Sequence, residues 1–417
     1  MVGFSGQDED GRSSGPRTIA ETSAGATAVE APDHGEIFRA FLVLGLTAFG
    51  GPIAHLAYFR EAFVVRRRWL TDRAYADLVA LCQFLPGPAS SQVGFAIGFS
   101  RGGLLGACLA WTAFTIPSAL ALMLFALGAG LASDGIGAEI IGGLKVAAVA
   151  VVAHALLGMA RNLTPDPKRA GIAVLAIAIL AWMPGAFGQV TAICAGVVLG
   201  LAILPGVAVQ PEAPAISTTI SRSLAAICLT VFLVLLLAGP ILAGIDPLGE
   251  FLAGIYRAGA LVFGGGHVVL PLLEAETVAT GFVSKEAFLA GYGAAQAVPG
   301  PLFTFAAFLG TTADGPSWGA LALIAVFMPG MLLLIGILPF WSAISSSAKA
   351  RTALSGANAA VVGILAAALY DPVFTSAILD LQAFALAALL FVMLTVWKLP
   401  PVLVVGVAAC AGPFLLA

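Results

Sequence analysis

Charge is scarce in this sequence. Asp, Glu, Lys and Arg make up 10% of its 417 residues, while 60% are hydrophobic. A soluble domain of that length needs a polar surface that this composition does not supply. Strict apolar–polar alternation is lacking too, and the apolar runs are continuous, which excludes a transmembrane β-barrel. The net charge of −3 provides no basic balance to draw nucleic acid. The five cysteines (Cys82, Cys108, Cys194, Cys228, Cys410) lie in apolar runs without CxxC spacing, which excludes a disulfide framework and a cysteine metal site. There is no Walker A sequence, no HExxH, no GxSxG and no paired acidic motif. Neither an ATP-driven step nor a hydrolytic site is therefore visible, no cofactor is called for, and the chain does not read as an enzyme.

What is present is apolar length. Mean hydropathy is +1.03. After a polar stretch, residues 1–35, which reads as a disordered tail and not a signal peptide, apolar segments run over roughly 37–59, 74–99, 103–131, 138–160, 170–187, 189–205, 223–244, 251–273, 287–310, 317–343, 353–370, 373–397 and 400–417. The loops between them are short. The chain reads as an all-α polytopic membrane protein whose environment is the lipid bilayer.

Two of these segments are broken in the middle by the same element. Gln83-Phe84-Leu85-Pro86-Gly87-Pro88 returns 213 residues later as Gln296-Ala297-Val298-Pro299-Gly300-Pro301. Proline removes an amide donor and clashes with the preceding turn, and glycine adds backbone freedom, so neither copy continues a helix. Irregular backbone at membrane depth is tolerated where protein buries it or where it lines a watery cavity.

The rest of the chain follows the same duplication. Phe49-Gly50-Gly51-Pro52 with His55 is answered by Phe263-Gly264-Gly265-Gly266-His267, Trp69-Leu70-Thr71 by Phe282-Val283-Ser284, Pro117 by Pro329, and Gly143-Leu144-Lys145 by Gly356-Ala357-Asn358. The expected organisation is a first membrane repeat over 36–206, a linker over 207–246 with one transmembrane helix, and a second, inverted repeat over 247–417. The single unpaired segment, 223–244, supplies the odd crossing that inverts the second half. Inverted repeats with broken helices are a recurring transporter architecture, with the site at the repeat interface.

Loop charge agrees with inversion. The loop after the first segment carries Arg60, Arg66, Arg67, Arg68 and Arg73 against Glu61 and Asp72. Its counterpart carries Glu274, Glu276 and Glu286 against Lys285. Under the positive-inside rule these loops belong on opposite sides. Treating the two broken segments of each half as re-entrant hairpins gives nine crossings, a cytoplasmic N-terminus and a periplasmic C-terminus.

Candidate site residues cluster at the breaks. A helix restarting after Pro88 presents free amides and the positive end of its dipole, equivalent to about half a charge, and such an end attracts anions. Gln83 and Gln296 are expected to cap the broken ends or to donate to a substrate, with Gln92 as a further donor. The plainer reading of each Pro-Gly-Pro is a packing kink; two matched copies favour a site. Gly50, Gly51, Gly264 and Gly265 permit close backbone approach. His55 and His267 either donate to an oxyanion or cap a carbonyl. Lys145 and Arg257 are cations in apolar segments, functional candidates unless they snorkel to the interface.

The set Phe49-Gly50-Gly51-Pro52 with His55, Trp69-Leu70, Pro86-Gly87-Pro88 and Gln92, duplicated along the chain, resembles the long, two-domain form of the chromate transporter family. The resemblance implies an inner-membrane exporter of chromate that confers chromate resistance and is driven by the proton-motive force, with sulfate as an alternative or exchanged oxyanion. The substrate site is expected between the Pro-Gly-Pro and Gly-Gly breaks of both halves, drawn from Gly50, Gly51, His55, Gln83, Pro86, Gly87, Pro88, Gln92, Lys145, Gly264, Gly265, His267, Gln296, Pro299, Gly300 and Pro301, with no metal. The second half departs at Gly266, where the first has Pro52. A homodimer is one assembly open to such a chain. Other readings are a sulfate- or molybdate-type carrier, an anion channel, or a membrane enzyme acting on phospholipid pyrophosphates. The last needs acidic or Ser/His clusters at the breaks, and the sequence has none there.

Overall fold

The computed structural model describes residues 33–129, 136–205, 220–242, 246–263 and 266–415. Glycines and prolines that interrupt apolar runs set its element boundaries. In chain order the first half comprises α1 (His34–Thr47), α2 (Gly51–Phe59), a π turn over Arg60–Arg66, α3 (Asp72–Phe84), α4 (Ala89–Ala129), α5 (Ile136–Leu163), α6 (Pro167–Trp182) and α7 (Ala186–Ile203). Helix α8 (Arg222–Leu242) stands between the halves. The second half comprises α9 (Pro247–Ala260), a 3-10 turn over Gly266–Val268, α10 (Val269–Thr277), α11 (Lys285–Ala295), a 3-10 turn over Leu302–Thr304, α12 (Phe305–Asp314) and α13 (Pro316–Ile337). It continues with α14 (Trp341–Ser346), α15 (Ala348–Ala368), α16 (Thr375–Ala377), α17 (Leu381–Thr395) and α18 (Pro401–Leu415).

The apolar segments 37–59, 74–99, 251–273 and 287–310 are each two helices separated by a break, as their internal Gly and Pro predict. Helix starts are fixed by side-chain caps that repeat with the duplication. Asp33 accepts from Glu36 N and Asp246 from Gly249 N. Thr71 accepts from Ala74 N, and Ser284 from Ala287 N. Asp166 and Asp380 do the same for Arg169 N and Ala383 N. Each such cap contributes about 1 kcal/mol and defines where the chain enters the helix.

Helix α4 leaves helical geometry at Gly102 and Gly103 and folds back on itself. Gly98 and Gly106 then face each other so closely that a Cβ on either would strike the other's carbonyl oxygen, at 2.5 Å. The second half makes a hairpin of α12 and α13 around Gly315, where a Cβ on Gly310 would strike the Trp318 carbonyl oxygen and one on Gly319 the Thr311 hydroxyl.

The halves interlock. Helices α6 and α7 of the first half pack on α15 of the second, while α17 and α18 of the second pack on α5 of the first. Both seams are closed by small residues: Gly356 lies on Gly196 and Gly200, and Gly143 lies on Ala408. Small residues allow close backbone approach where lipid offers helices no hydrophobic drive to associate.

Six helices among the described residues are long and apolar enough to cross a membrane. Helix α8 is one of them. It touches α9 and α13, with Tyr256 Oη donating to the Phe232 carbonyl at 3.2 Å. It leaves Ile227, Val234, Leu237 and Ile241 exposed, the pattern of a lipid-facing helix. The chain is an all-α, multi-pass membrane protein.

Candidate functional site

Each half's Pro-Gly-Pro loop is tied to the other half's first break. The Gly87 amide donates to the Val262 carbonyl at 2.7 Å, and the Gly300 amide donates to the Ala48 carbonyl at 2.9 Å. Ala48 ends α1 and Val262 follows α9, so these carbonyls belong to the open ends of equivalent helices. Gly87 and Gly300 have φ of +118° and +101°, a region that side chains disfavour. The same exchange governs packing. Gly87 sits against Gly330 of α13, and Gly300 sits against Ser118 of α4; Ser118 and Gly330 each follow the proline inside their helix.

At the centre of this exchange, equivalent residues meet. A Cβ on Gly266 would lie 3.2 Å from Pro52 Cγ. In a two-fold arrangement, contact between equivalent positions marks the axis. It also supplies the reason for the departure at Gly266: with Pro52 in place, that position has no room for a second proline.

His55 braces the first break from within. It is 1% exposed, its Nε2 lies 3.2 Å from the Ala48 carbonyl and its Nδ1 lies 3.4 Å from Ser90 Oγ. A carbonyl only accepts, so Nε2 carries the proton, and in the neutral ring Nδ1 accepts from the serine hydroxyl. Its ring meets Phe114 edge-on at 5.3 Å. Of the two roles expected for His55, the structure shows the carbonyl cap. The Ala48 oxygen thus receives both His55 and Gly300.

Gln92 closes the first loop. Its Nε2 donates to the Pro86 carbonyl at 3.1 Å and to the Gly330 carbonyl at 2.9 Å. The capping expected of Gln83 is therefore carried by Gln92. Gln83 is exposed on the outer side of α3, whose buried face is Ala74, Tyr75, Leu78, Leu81 and Cys82. Gln296 is half-buried and ends α11 through its backbone, while its side-chain Nε2 is buried without a hydrogen-bond partner.

That donor is one of several buried polar atoms near the breaks that lack a partner among the described residues. The others include Ser91 Oγ and Gln92 Oε1 at the restart of α4, Thr115 Oγ1 one turn from Ser118, and Asn358 Oδ1 on α15. A buried polar group left unpaired costs about 1–3 kcal/mol, so each of these calls for a partner such as water or a ligand. Ser91, Gln92 and Thr115 are at most 2% exposed. Lys145 is half-buried and lies next to Leu144, against which Gly293 of α11 is packed. Gln296 is three residues, about one turn, beyond Gly293.

The structure therefore brings together Pro86, Gly87, Pro88, Gln92, Gly300, Pro301 and His55, sets Lys145 beside the helix that leads to Gln296 and Pro299, and leaves Gln83 outside. Gly50 is exposed and Gly51 half-buried where α2 begins. His267 falls in the 3-10 turn Gly266–Val268. Gly264 and Gly265 lie outside the described residues. Ser118, Thr115 and Asn358 were not expected as site residues. The signal for Ser118 was its place directly after Pro117, matching Gly330 after Pro329.

Charge around the site is antisymmetric. Arg60 pairs with Asp72 at 2.7 Å. The equivalent positions are Glu274 and Lys285, with both signs exchanged. Lys285 bridges to Asp371 at 3.0 Å, tying α11 to the π turn Leu369–Phe374 that follows α15. Burial raises the Glu274 carboxyl to about 6; Lys285 opposes that shift and Asp371 adds to it. On the first half's loop, Arg67 lies over Phe63 and Trp69, and Arg101 lies over Trp69 at 5.3 Å. Arg257 is not a free cation: it pairs with Glu276 at 3.3 Å.

A family model described as chromate transporter matches this chain twice, over residues 35–204 and 249–413. The chromate transport protein of Pseudomonas aeruginosa is 27% identical over 363 residues, covering 85% of this chain and 85% of that protein. The probable chromate transport protein of Synechococcus elongatus is 27% identical over 90% of this chain and 94% of its own. The chromate transport protein of Cupriavidus metallidurans is 26% identical over 93% and 95%. No solved structure matches the chain.

Proposed function

The chain belongs to the chromate transporter family, and on that premise we propose that it is a secondary transporter that carries chromate out across the bacterial inner membrane and so confers resistance. The observation that carries the proposal is the pair of crossed bonds, Gly87 to Val262 and Gly300 to Ala48. They gather both broken loops and both restarting helices around one axis, which is where an anion finds donors from two directions.

Chromate is a tetrahedral dianion that accepts hydrogen bonds at every corner. The donors offered are the free amides at the start of α4, the hydroxyls of Ser91 and Thr115 and the unpaired Gln296 Nε2, with Lys145 as the nearby charge. Pro86, Gly87 and Pro88 on one side and Pro299, Gly300 and Pro301 on the other hold the backbone in place. Sulfate presents the same shape and charge and is the expected competitor.

Export needs no nucleotide. Moving a dianion out of a negative interior is favourable by about 4.6 kcal/mol per 100 mV, at roughly 2.3 for each charge. The charge exchange between the pairs Arg60–Asp72 and Glu274–Lys285 supports opposite sidedness for the two hairpins, with the N-terminus cytoplasmic and the C-terminus periplasmic. Cysteines placed at Arg66–Arg68 are then labelled from the cytoplasmic face; labelling from outside contradicts the hairpin topology.

The test of function is counterflow of labelled chromate in proteoliposomes, with voltage and pH gradients set independently. Saturable exchange that sulfate competes with and an interior-negative potential accelerates outward supports the proposal. Unitary currents with no exchange indicate a channel, and the absence of chromate flux removes the reading.

A further inference from the structure

The ion pair between Arg257 and Glu276 has no counterpart in the first half. In the register that aligns Gly45 with Gly259, the same two positions there are Val43 and Ala62, both apolar. The pair joins α9 to α10, the two arms on either side of the second half's first break. It has a place built for it: position 254 is glycine where the first half has Ala40, and a Cβ there would lie 2.9 Å from Glu276 Oε2. On its other side Arg257 reaches α8, where a Cβ on Gly239 would meet its Nη2 at 3.8 Å. The Glu276 side chain is 9% exposed and that of Arg257 is 28% exposed.

Such a carboxylate is poorly solvated and has Arg257 as its salt-bridge partner among the described residues. Glu276 lies past the end of the apolar segment 251–273, and burial raises its carboxyl to about 7 against the opposing pull of Arg257. The 3.3 Å contact spans the break between α9 and α10, and burial weakens the hold of Arg257 on the ionised form of Glu276. Other charges around α10 are accounted for. Glu274 faces Lys285 and Asp371. Of the elements packed on α10, α9 carries Glu250 in its first turn besides Arg257, α15 carries its cations Lys349 and Arg351 in its first turn, α7 carries no charged residue, and His267 is nine residues upstream.

We propose that Glu276 is a proton-binding site of the transport cycle: ionised, it latches α9 to α10 through Arg257, and protonated, it frees the two arms to move about the break. This rests on the transport reading. It assigns the coupling role to the second half alone, because the first half holds Val43 and Ala62 in its place.

The experiment measures chromate flux in proteoliposomes from about pH 6 to about pH 8 for the wild type, Glu276→Gln, Glu276→Asp and Arg257→Gln, alongside the infrared carboxyl band of the same purified proteins. The wild-type flux should vary by about tenfold across this range, Glu276→Gln by less than about twofold, and Glu276→Asp should keep a displaced profile. The infrared spectrum should lose a titrating carboxyl component in Glu276→Gln, distinct from the one that Glu274→Gln removes. A wild-type pH profile and an unchanged band in Glu276→Gln overturn the proposal. If no variant carries chromate at any pH, the transport reading fails, and the infrared band still decides whether Glu276 takes up the proton.

Discussion

The amide of Gly87 donates to the carbonyl of Val262 at 2.7 Å, across the boundary between the two halves of the chain. Gly300 makes the reciprocal bond to Ala48 at 2.9 Å. Neither glycine has room for a side chain. A Cβ on Gly87 would lie 3.0 Å from Gly330 Cα, and one on Gly300 would lie 2.8 Å from Ser118 Oγ. Both Gly87→Ala and Gly300→Ala should therefore lower stability by about 1–2 kcal/mol through the left-handed backbone alone, with steric cost added. Ser118→Gly should relieve the steric part in Gly300→Ala and leave the backbone part. Thermal unfolding in detergent, read beside chromate flux, separates the two.

Gln92 spends its amide on the carbonyls of Pro86 and Gly330. Gln92→Leu strands both oxygens, at about 1–3 kcal/mol each. Gln92→Glu should be worse, because an ionised carboxylate offers no proton to either carbonyl and is buried beside them. The expected order of melting temperature is wild type, then Gln92→Leu, then Gln92→Glu, with transport lost in both variants. Equal melting temperatures contradict the bracing role.

Pro52 occupies the space that a side chain at 266 would take. Gly266→Pro alone should impair folding or flux at least about tenfold, which is about 1.4 kcal/mol. The exchange Pro52→Gly with Gly266→Pro keeps one proline at the axis and should recover a measurable part of that loss. An exchange no better than the single variant contradicts the placing of the axis.

Burial raises the Glu274 carboxyl to about 6, above its ordinary value of 4.5. The folded protein then holds a proton that the unfolded chain releases first. Stability from this group is present below about pH 4.5 and is lost as pH rises through about 6. Glu274→Gln should flatten the fall in melting temperature across that window. A fall of unchanged slope assigns it to other groups.

Much of the fold was legible because it is local. Caps, glycines and prolines mark helix ends in sequence, so the breaks at Gly50 and Pro86, the hairpin after Phe99 and the duplication were all readable. Crossed pairing was not, because no local pattern says that Gly87 bonds to Val262 and not to its own half. Gln83 shows a different miss. Its nearness to Pro-Gly-Pro suggested a cap, yet the helical period that buries Leu78, Leu81 and Cys82 turns it outward. Gln92, one turn into the next helix, reaches the loop instead. Arg257 looked like an unpaired cation because its partner, Glu276, lies beyond a break, where helical spacing no longer applies.

A single anion site built jointly by both halves predicts coupled substitutions, and a double-mutant cycle on chromate binding reads that coupling. Equilibrium binding of labelled chromate is measured for the wild type, Ser91→Ala, Gln296→Leu and the double variant, with folding checked by thermal unfolding. Each single substitution should weaken binding by about 1–3 kcal/mol, and the double variant should depart from the sum by at least about 0.5 kcal/mol, because both groups act on one ion. Wild-type affinity in Gln296→Leu, or strict additivity in the folded double variant, contradicts a shared site.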